Sequence, residues 1–281
     1  RNYVSLINYH TTSSQTAAHL SSVGDYILWY AKDKNSMKFN RPFLEKNDES
    51  GQYRWISEDG TAFRLSDFTS QSGGDSTIFK FEINGQIYFP KKGGWKTNKT
   101  GATRLQKASR LSGSGSTLSY IRHINDFSCS PVSSTWTDTR ISGFSDAKRY
   151  VVQTAVKVIE RCILMTTDPG DLVLDPTCGS GTTAFVAEKQ GRRWITCDTS
   201  RVATTLAKQR LMTASFDYFE LKYPHEGLKG GFIYKTVPHV TLRSIANNPD
   251  IDSIYERLHP VIESALNQLN ILIKDAAQNF H

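Results

Sequence analysis

The sequence is poor in the features that build disulfide scaffolds and membrane spans. Four cysteines occur among 281 residues, and no two have the C-x-x-C spacing of a metal or redox motif: Cys129, Cys162, Cys178 and Cys197. No apolar run approaches the roughly 18 residues that a membrane span requires, and no signal-peptide pattern opens the chain. Its start at Arg1 rather than Met suggests a trimmed or partial chain. We therefore expect free thiols and a cytoplasmic location.

Motifs of the common hydrolases are absent as well. The chain contains neither H-E-x-x-H nor G-x-S-x-G, and no pair of carboxylates has a spacing that suggests general acid–base catalysis. Scattered histidines such as His19 and His239 are interpreted as surface or packing residues. The residues alone therefore predict no catalytic group and no metal site.

Acidic residues are missing from one long segment, residues 83–125. Seven of its cations, together with one tryptophan, are predicted to contact nucleic acid: Lys91, Lys92, Trp95, Lys96, Lys99, Arg104, Lys107 and Arg110. Lysine and arginine neutralise phosphates, and aromatic rings stack on bases or wedge beside them. A merely solvated face is the alternative, but the net charge of +7 favours a polyanionic partner.

The composition and the apolar periodicity of the chain change near residue 145. Before that point, residues 2–9 and 24–32 read as strands, and residues 33–135 alternate short β-like runs with Gly, Ser, Asn and Lys. After it, periodicity predicts helices over 149–165, 181–190 and 200–214, with strands over 172–174 and 194–197. This alternation is typical of a parallel α/β architecture. The tail, residues 250–280, has a helical period.

A turn of small residues follows the predicted strand at 172–174 and reads D-P-T-C-G-S-G-T-T. Gly179 and Gly181 allow a sharp turn and a close backbone approach to a ligand, and the next helix directs its free N–H groups to the same place. Asp198 ends the following strand, where an acid accepts hydrogen bonds from ribose hydroxyls. This layout predicts a nucleoside-binding site.

Several ligand classes use glycine turns, and a turn without a ligand is also conceivable. A P-loop requires Gly-Lys-Ser/Thr, and Thr182 follows Gly181, so that class is excluded. Gly179, Gly181 and Ala184 loosely meet the dinucleotide fingerprint, but Asp175 would then face a pyrophosphate. Asp175 instead suits a ligand with a cationic amino-acid end. A nucleotide-dependent oxidoreductase stays open and is distinguished by its cofactor.

The turn resembles the S-adenosylmethionine motif D-P-F-x-G-S-G-T-T of amino-methylating DNA methyltransferases, with Thr177 in place of Phe. Residues 150–154 resemble the T-Q-K-P element of that family, residues 136–138 its W-x-D, and residues 26–32 a strand motif. The order of these motifs along the chain resembles that of the permuted, beta-type class of these enzymes. It is most like the order in the modification subunit of type III restriction–modification systems. The resemblance implies S-adenosylmethionine as cofactor, bound by Gln153, Thr154, Asp175, Pro176, Thr177, Cys178, Gly179, Ser180, Gly181, Thr182 and Asp198.

The resemblance also implies an α/β fold: an incomplete Rossmann-like methyltransferase sheet with an inserted β-rich target recognition region. Residues 1–32 would supply strands of the catalytic half and residues 33–135 the target recognition region. Residues 136–216 would form the cofactor-binding part and residues 217–281 a helical extension. The implied partners are double-stranded DNA, a second modification subunit and a restriction subunit with nuclease and translocase activity.

The catalytic motif of that family, Asp/Asn/Ser-Pro-Pro-Tyr/Trp, is missing. The chain contains no Pro-Pro pair, and Ser130-Pro131-Val132 is the nearest fragment. In the permuted class the motif precedes everything seen here. We therefore expect the cofactor- and DNA-binding part of an adenine-N6 DNA methyltransferase that is inactive alone. The alternative is a non-catalytic DNA-binding or specificity module.

Overall fold

A computed structural model describes residues 2–11, 19–46, 51–140 and 153–278. The chain divides into two compact units. Unit 1 comprises Arg1–Glu45 and Cys129–Thr236, and unit 2 comprises Lys46–Ser128 and Val237–His281. Each unit is thus built from two separate stretches of sequence. None of the described helices is both long and apolar enough to cross a lipid bilayer.

The described elements are numbered in chain order. The strands are β1 (Tyr3–His10), β2 (Gly24–Tyr30), β3 (Phe43–Glu45), β4 (Trp55–Ile56), β5 (Ala62–Asp67), β6 (Thr69–Ser70), β7 (Phe81–Ile83), β8 (Gln86–Tyr88), β9 (Gly94–Trp95), β10 (Leu111–Ser114), β11 (Thr117–His123), β12 (Cys129–Pro131), β13 (Thr135–Trp136), β14 (Leu172–Asp175) and β15 (Arg193–Thr196). The α-helices are α1 (Lys99–Lys107), α2 (Val156–Thr166), α3 (Thr182–Lys189), α4 (Arg201–Met212), α5 (Leu242–Ala246) and α6 (Asp250–Gln278). Two 3₁₀ segments lie at Ile124–Asp126 and Pro224–Gly230.

Unit 1 contains a three-stranded sheet in the order β13-β1-β2. Strand β1 pairs antiparallel with β2, where Ile7 faces Ile27, and parallel with β13. Helix α2 packs on this sheet through Val158 and Met165, which are buried with Ile7 and Trp136. The two N-terminal strands predicted from β-branched and aromatic residues are therefore confirmed, within one or two residues at their ends.

The second sheet of unit 1 is the parallel pair β14 and β15, connected through α3. Val173 lies opposite Trp194, and both pack against the buried Val186 and Ala187 of α3 and Ile163 of α2. A strand, a helix and a parallel strand in succession confirm the α/β arrangement predicted for this stretch.

Helix α2 is shorter than the sequence predicts. The apolar period suggested a helix over residues 149–165, but α2 begins at Val156, after Ala155 at its N-cap. Gln153 and Thr154 are not helical, and residues 149–152 lie outside the described part of the chain. Ala155 provides no side-chain oxygen to cap the helix, so no sequence signal marked the true start.

Unit 2 combines a four-stranded sheet, β10-β11-β5-β4, with the helices α1, α5 and α6. Strands β5 and β11 pair antiparallel, with Leu65 opposite Ile121. The core of the unit is formed by buried apolar residues from the small strands, from α1 and from α5: Phe68, Phe81, Ile83, Tyr88, Trp95, Ala102, Leu105, Leu118, Tyr120, Ile245 and Ala246. The segment rich in short strands thus has a core of its own.

The unit boundaries differ from the segments drawn from the sequence. The predicted recognition segment, residues 33–135, extends at both ends into unit 1, because β3 pairs with β12 in that unit. The predicted extension, residues 217–281, is divided at Thr236. Its second part joins unit 2, since Ile245 and Ala246 of α5 fill the core beside Leu105 of α1. Composition does not reveal such pairing between distant segments.

Candidate cofactor and DNA sites

The glycine turn begins where β14 ends, at Asp175. The backbone N–H of Cys197 donates to the carbonyl of Asp175 at 3.1 Å, and the N–H of Cys178 donates to the carbonyl of Cys197 at 3.0 Å. The Asp175 carboxylate accepts a hydrogen bond from the N–H of Thr177 at 3.0 Å through one oxygen. The turn is therefore fixed to the ends of both strands, with an acidic side chain at its first position.

Both glycines of the turn have left-handed backbones, with φ of +52° at Gly179 and +73° at Gly181. A Cβ atom on Gly181 would lie 2.7 Å from Cβ of Ala207 and 3.0 Å from its Cα. Glycine is thus needed at 181 for two independent reasons: the backbone conformation and the close approach of α4. The prediction that a sharp turn requires these glycines is confirmed.

Asp198 connects the turn to the start of α4. One carboxylate oxygen accepts from the N–H of Ser200 at 2.8 Å, and the other accepts from the N–H of Gly179 at 2.9 Å. These backbone hydrogen bonds, to Ser200 first and then to Gly179, hold the pKa of Asp198 below its usual range. Ser200, not Asp198, caps α4 by accepting from the N–H of Ala203. Each carboxylate oxygen still has acceptor capacity for a ligand.

Helix α3 starts directly after the turn with buried polar side chains. Ser180 is 3% exposed and Thr182 is 7% exposed, and their hydroxyl oxygens lie 3.4 Å apart. Arg210 of α4 donates to the Thr182 hydroxyl at 3.0 Å and lies over the ring of Phe185. Sequence inspection missed Arg210, although its spacing from the small residues of α4 marks the buried face of that helix.

Gln153 and Thr154, assigned by resemblance, lie just before α2 and are half-buried. Residues 150–152, which begin the segment that resembles the T-Q-K-P element, lie outside the described part of the chain. Pro176 and Thr177 are exposed at the surface of the turn, whereas Cys178 is buried beneath it. The turn residues and Asp198 therefore form one connected group, and their role in cofactor binding stays a prediction.

The W-x-D element has a clear packing role. Trp136 is buried, and the Arg161 guanidinium of α2 lies 5.3 Å from its ring centroid. Arg161 also donates to both carboxylate oxygens of Asp138, at 2.9 and 2.6 Å, and Lys157 lies 2.6 Å from the same carboxylate. Burial alone would raise the pKa of Asp138, but the hydrogen bonds of Arg161 and Lys157 lower it to about 2. This network fixes α2 to the strand before it.

Trp95 is a core residue of unit 2, which contradicts its prediction as a DNA-contacting side chain. It is 2% exposed, it stacks on Phe68 with the ring centroids 5.3 Å apart, and its indole N–H donates to the carbonyl of Phe79 at 2.9 Å. A ring held in this way has no face available for a base. Its neighbouring glycines and lysines had suggested an exposed loop.

Three of the seven predicted DNA-contacting cations are paired within unit 2. Arg104 and Lys107 of α1 contact the Asp252 carboxylate at 2.8 and 2.7 Å. Arg110 donates to both oxygens of Asp126, which is 5% exposed. Acids from outside the basic segment thus pair with these cations, although Arg104 and Lys107 share one carboxylate. These ion pairs give the three residues a structural role in the fold, which disfavours the predicted phosphate contacts.

The remaining four cations, Lys91, Lys92, Lys96 and Lys99, are exposed. Lys91 donates to the Ser116 hydroxyl at 2.6 Å, and Lys96 donates to the backbone carbonyl of Asp67. The Ser116 hydroxyl is neutral, so Lys91 keeps its net charge. The Asp67 carboxylate, whose pKa is lowered mainly by its hydrogen bonds from Thr69, also interacts with the charge of Lys96. These four are the exposed members of the predicted phosphate contacts of unit 2, and we call them the lysine patch.

Comparisons with known proteins identify the family. The model of the DNA methylase family N6_N4_Mtase matches residues 2–209. The type II methyltransferase M.EcaI of Enterobacter cloacae is 24% identical over 231 residues, which cover 74% of this chain and 47% of that protein. The probable type III restriction-modification enzyme HindVI Mod subunit of Haemophilus influenzae is 48% identical over 54 residues, 19% of this chain and 7% of that protein.

Among solved structures, the M1.HpyAVI–SAM complex superposes with a TM-score of 0.35 at 16% identity, covering 74% of this chain and 61% of that one. The chain spans less than half the length of the curated relatives it matches. The family model, in contrast, covers well over half of the chain itself. The chain therefore belongs to the N6_N4_Mtase family of DNA methylases.

Proposed function

We propose that this chain binds S-adenosylmethionine at the turn of unit 1 and DNA at the lysine patch of unit 2, as part of a site-specific adenine-N6 DNA methyltransferase. The observation that carries the proposal is the connection of Asp175, Gly179 and Asp198 at the ends of two parallel strands. Ligands of open α/β sheets bind at this edge. Membership in the DNA methylase family supports the reaction class.

The charge of the turn favours S-adenosylmethionine over a dinucleotide. Asp175 and Asp198 place two carboxylates beside the same loop, and Asp198 holds a lowered pKa, so it is ionised at neutral pH. A pyrophosphate would be repelled there, whereas an ammonium group would be attracted. When bound, the cofactor would supply an electrophilic methyl group. Asp175 would bind its cationic end, and Asp198 would accept hydrogen bonds from its ribose.

We also propose that the catalytic motif lies upstream in the parent protein and that the sheet is a Rossmann-like sheet of the permuted class. No Pro-Pro pair occurs in the chain, so no residue here can hold the target amine in the manner of the family. Leu172, Leu174 and Ile195 on one face of the β14–β15 pair are 52%, 64% and 54% exposed. An apolar face this exposed is typical of a sheet that is covered by further chain.

The adenine target and the partners follow from the type III resemblance. A type III modification subunit would associate with a second modification subunit and with a restriction subunit. The match to the HindVI Mod subunit supports this assignment over a short region. Cytosine-N4 transfer is the alternative within the same family.

Cofactor binding is tested by titration calorimetry with S-adenosylmethionine, its demethylated product and NAD. We expect the first two to bind and Gly179→Val to abolish binding, because a branched side chain does not tolerate φ of +52°. The matched control is Gly51→Val, at φ of +58° in unit 2 with nothing within 4 Å, which should leave cofactor binding unchanged. Tighter binding of NAD would refute the assignment.

DNA binding is tested by the dependence of affinity on salt. The slope of log K against log salt should be near −0.9 per phosphate contacted, and each Lys92→Ala or Lys99→Ala change should flatten it by about 0.9. Lys229→Ala, an exposed lysine of unit 1, is the control and should leave the slope unchanged. An equal loss in all three variants would show that only net charge matters and would contradict the lysine patch.

Methyl transfer separates the proposed enzyme part from a non-catalytic specificity module. The chain alone should transfer no labelled methyl group from S-adenosylmethionine to DNA, because no motif orients the amine of a flipped base. Adding the upstream segment of the parent gene should restore transfer. If the parent gene has no such segment, the chain is a binding module. Robust transfer by the chain alone would refute the proposed position of the catalytic motif.

A further inference from the structure

Helix α4 has one buried face, which packs beside the glycine turn and α3. Along that face lie Ala203, Ala207 and Arg210, which are all buried and follow helical spacing. Arg210 is thus a buried cation in the last turn of α4. Burying a charged side chain costs free energy unless its polar atoms are hydrogen-bonded, so the contacts of this guanidinium indicate what it stabilises.

The Arg210 guanidinium contacts two residues of α3. It donates to the Thr182 hydroxyl at 3.0 Å, and it lies 4.6 Å from the ring centroid of Phe185. These two residues are three positions apart and therefore lie on one face of α3. Thr182 is itself buried and is the first residue of α3, directly after Gly181. The hydrogen bond therefore joins α4 to the residue at which the glycine turn becomes a helix.

Arg210 is the last in a series of contacts between the α4 region and the turn. One contact precedes α4, one comes from its middle and one from its last turn: Asp198 with Gly179, Ala207 with Gly181, and Arg210 with Thr182. The first is a hydrogen bond to the backbone, the second is close packing, and the third is a hydrogen bond from a charged donor. Helix α4 thus supports the turn along most of its length.

We propose that Arg210 is a positioning residue of the cofactor site, which acts through the Thr182 hydroxyl to hold the turn and the start of α3 in the conformation that binds the cofactor. Arginine has donors and no acceptor, so the Thr182 oxygen must accept this hydrogen bond. Free N–H groups at the start of α3 face the proposed ligand, and a displacement of Thr182 would displace them as well. The inference rests on the proposed function of the turn and adds a residue that does not itself contact the ligand.

Unit 1 contains a matched arginine at the opposite edge of the same two strands. Arg192 is buried and donates to the Thr167 hydroxyl at 3.0 Å, which is the same kind of contact at the same length. It directly precedes β15, at the amino ends of the parallel strands, whereas the turn follows their carboxyl ends. Replacing either arginine removes a buried hydrogen bond to a threonine. Only the replacement of Arg210 should affect the turn.

The test is amide hydrogen exchange of the cofactor-free full chain. The N–H of Gly179 donates to the Asp198 carboxylate at 2.9 Å, and the N–H of Gly181 donates to the carbonyl of Cys178 at 2.8 Å. Exchange at these two amides therefore reports the opening of the turn.

Arg210→Met and Arg192→Met form the matched pair of variants. Methionine keeps the length of the side chain and a favourable contact with the ring of Phe185, but it removes the donor. Arg210→Met should speed exchange at the two turn amides by about tenfold, the scale of one hydrogen bond from a charged group. Arg192→Met should leave the turn amides within about twofold and speed exchange instead at Gly191, whose N–H donates to the carbonyl of Glu188.

Thr182→Val removes the same hydrogen bond from the acceptor side, and it tests the proposal even if Arg210→Met does not fold. Alone, it should speed exchange at the turn about as much as Arg210→Met. If Arg210 acts through Thr182, both changes together should have no larger effect than either alone. Multiplication of the two separate effects would overturn the proposal, because Arg210 would then act by another route.

Titration calorimetry connects the turn to cofactor binding. Arg210→Met should raise the dissociation constant of S-adenosylmethionine about tenfold, and Arg192→Met should change it by no more than about twofold. The proposal would be overturned by equal exchange at the turn in these two variants, or by unaltered cofactor affinity in Arg210→Met. A wild-type chain that binds no S-adenosylmethionine would instead refute the proposed function, and the exchange rates of the cofactor-free chain would still decide whether Arg210 holds the turn.

Discussion

Gly181→Ala places a single methyl group at the point where the glycine turn meets α4. The new Cβ would lie 2.7 Å from Cβ of Ala207, which is closer than Cβ atoms approach their neighbours in proteins, and 3.0 Å from its Cα, which is a tight contact. Alanine would also have to adopt the glycine backbone, with φ of +73° and ψ of +28°. The change therefore combines backbone strain with steric overlap against a helix.

The two costs are estimated separately. A left-handed conformation costs a non-glycine residue roughly 1–2 kcal/mol. Inserting a methyl group into a packed contact costs a further 1–3 kcal/mol or so, and Ala207 is buried and has no flexible side chain that could move aside. Gly181→Ala should therefore lower the free energy of unfolding by about 2–5 kcal/mol. Thermal denaturation should show a fall in Tm of roughly 4–20 °C.

Gly115→Ala is the matched control. Gly115 lies between β10 and β11 with φ of +54°, and a Cβ there would have nothing within 4 Å. The Gly115→Ala variant should lose unfolding free energy through backbone strain alone, roughly 1–2 kcal/mol. The difference between the two variants measures the overlap with Ala207. Calorimetry on Gly181→Ala should also show weaker S-adenosylmethionine binding, since the turn must move, whereas Gly115→Ala should bind normally.

The reasoning would be refuted by equal stability of the two variants. That result would mean that α4 does not approach Gly181 as the structure has it. Normal cofactor affinity in a destabilised Gly181→Ala protein would be a different result: the packing would be right and the turn would not bind the cofactor. Restoring stability by a second change, Ala207→Gly, would verify that the contact itself is responsible.

Three further predictions concern other parts of the chain. Asp198→Ala should weaken S-adenosylmethionine binding by about 1–3 kcal/mol in calorimetry, and unchanged affinity would limit Asp198 to holding the turn. Because the pKa of Asp138 is lowered to about 2 from 3.8, its stabilisation is fully present above pH 4 or so and is lost as pH falls towards 2. Acid titration of unfolding should therefore be shallower in Asp138→Asn, and an identical profile would count against the Arg161 pair. Trp95→Ala should cost about 3–5 kcal/mol in urea denaturation, and an unaltered stability would contradict its place in the core.

Short-range features of the chain were predictable from the sequence. The strand at 172–174, the helix that follows the turn and the strand near Trp194 all appear within one or two residues of their predicted bounds. Apolar spacing and glycine position determine these elements, because they depend on the backbone preferences of neighbouring residues. The long helix near the C-terminus was predicted for the same reason.

The exposure of the basic segment could not be predicted in this way. Trp95 stands between glycines and lysines, a context that indicates an exposed loop, yet Phe68 and Phe79 bury it. Arg104 and Lys107 seemed available for phosphates because no acid lies near them in sequence. Their partner, Asp252, is more than 140 residues away along the chain. Pairs at such separations are formed only by the folded chain.

The sequence by itself determined the glycine turn, its first acidic residue Asp175 and the resemblance to DNA methyltransferases, because nine consecutive residues carry that information. The tertiary structure alone decided which charges are free, which aromatic ring is buried, and that the C-terminal helix joins the unit with the lysine patch. The physical reason is that backbone conformation depends mainly on local interactions. Burial and charge pairing instead depend on contacts between segments that meet only when the chain folds.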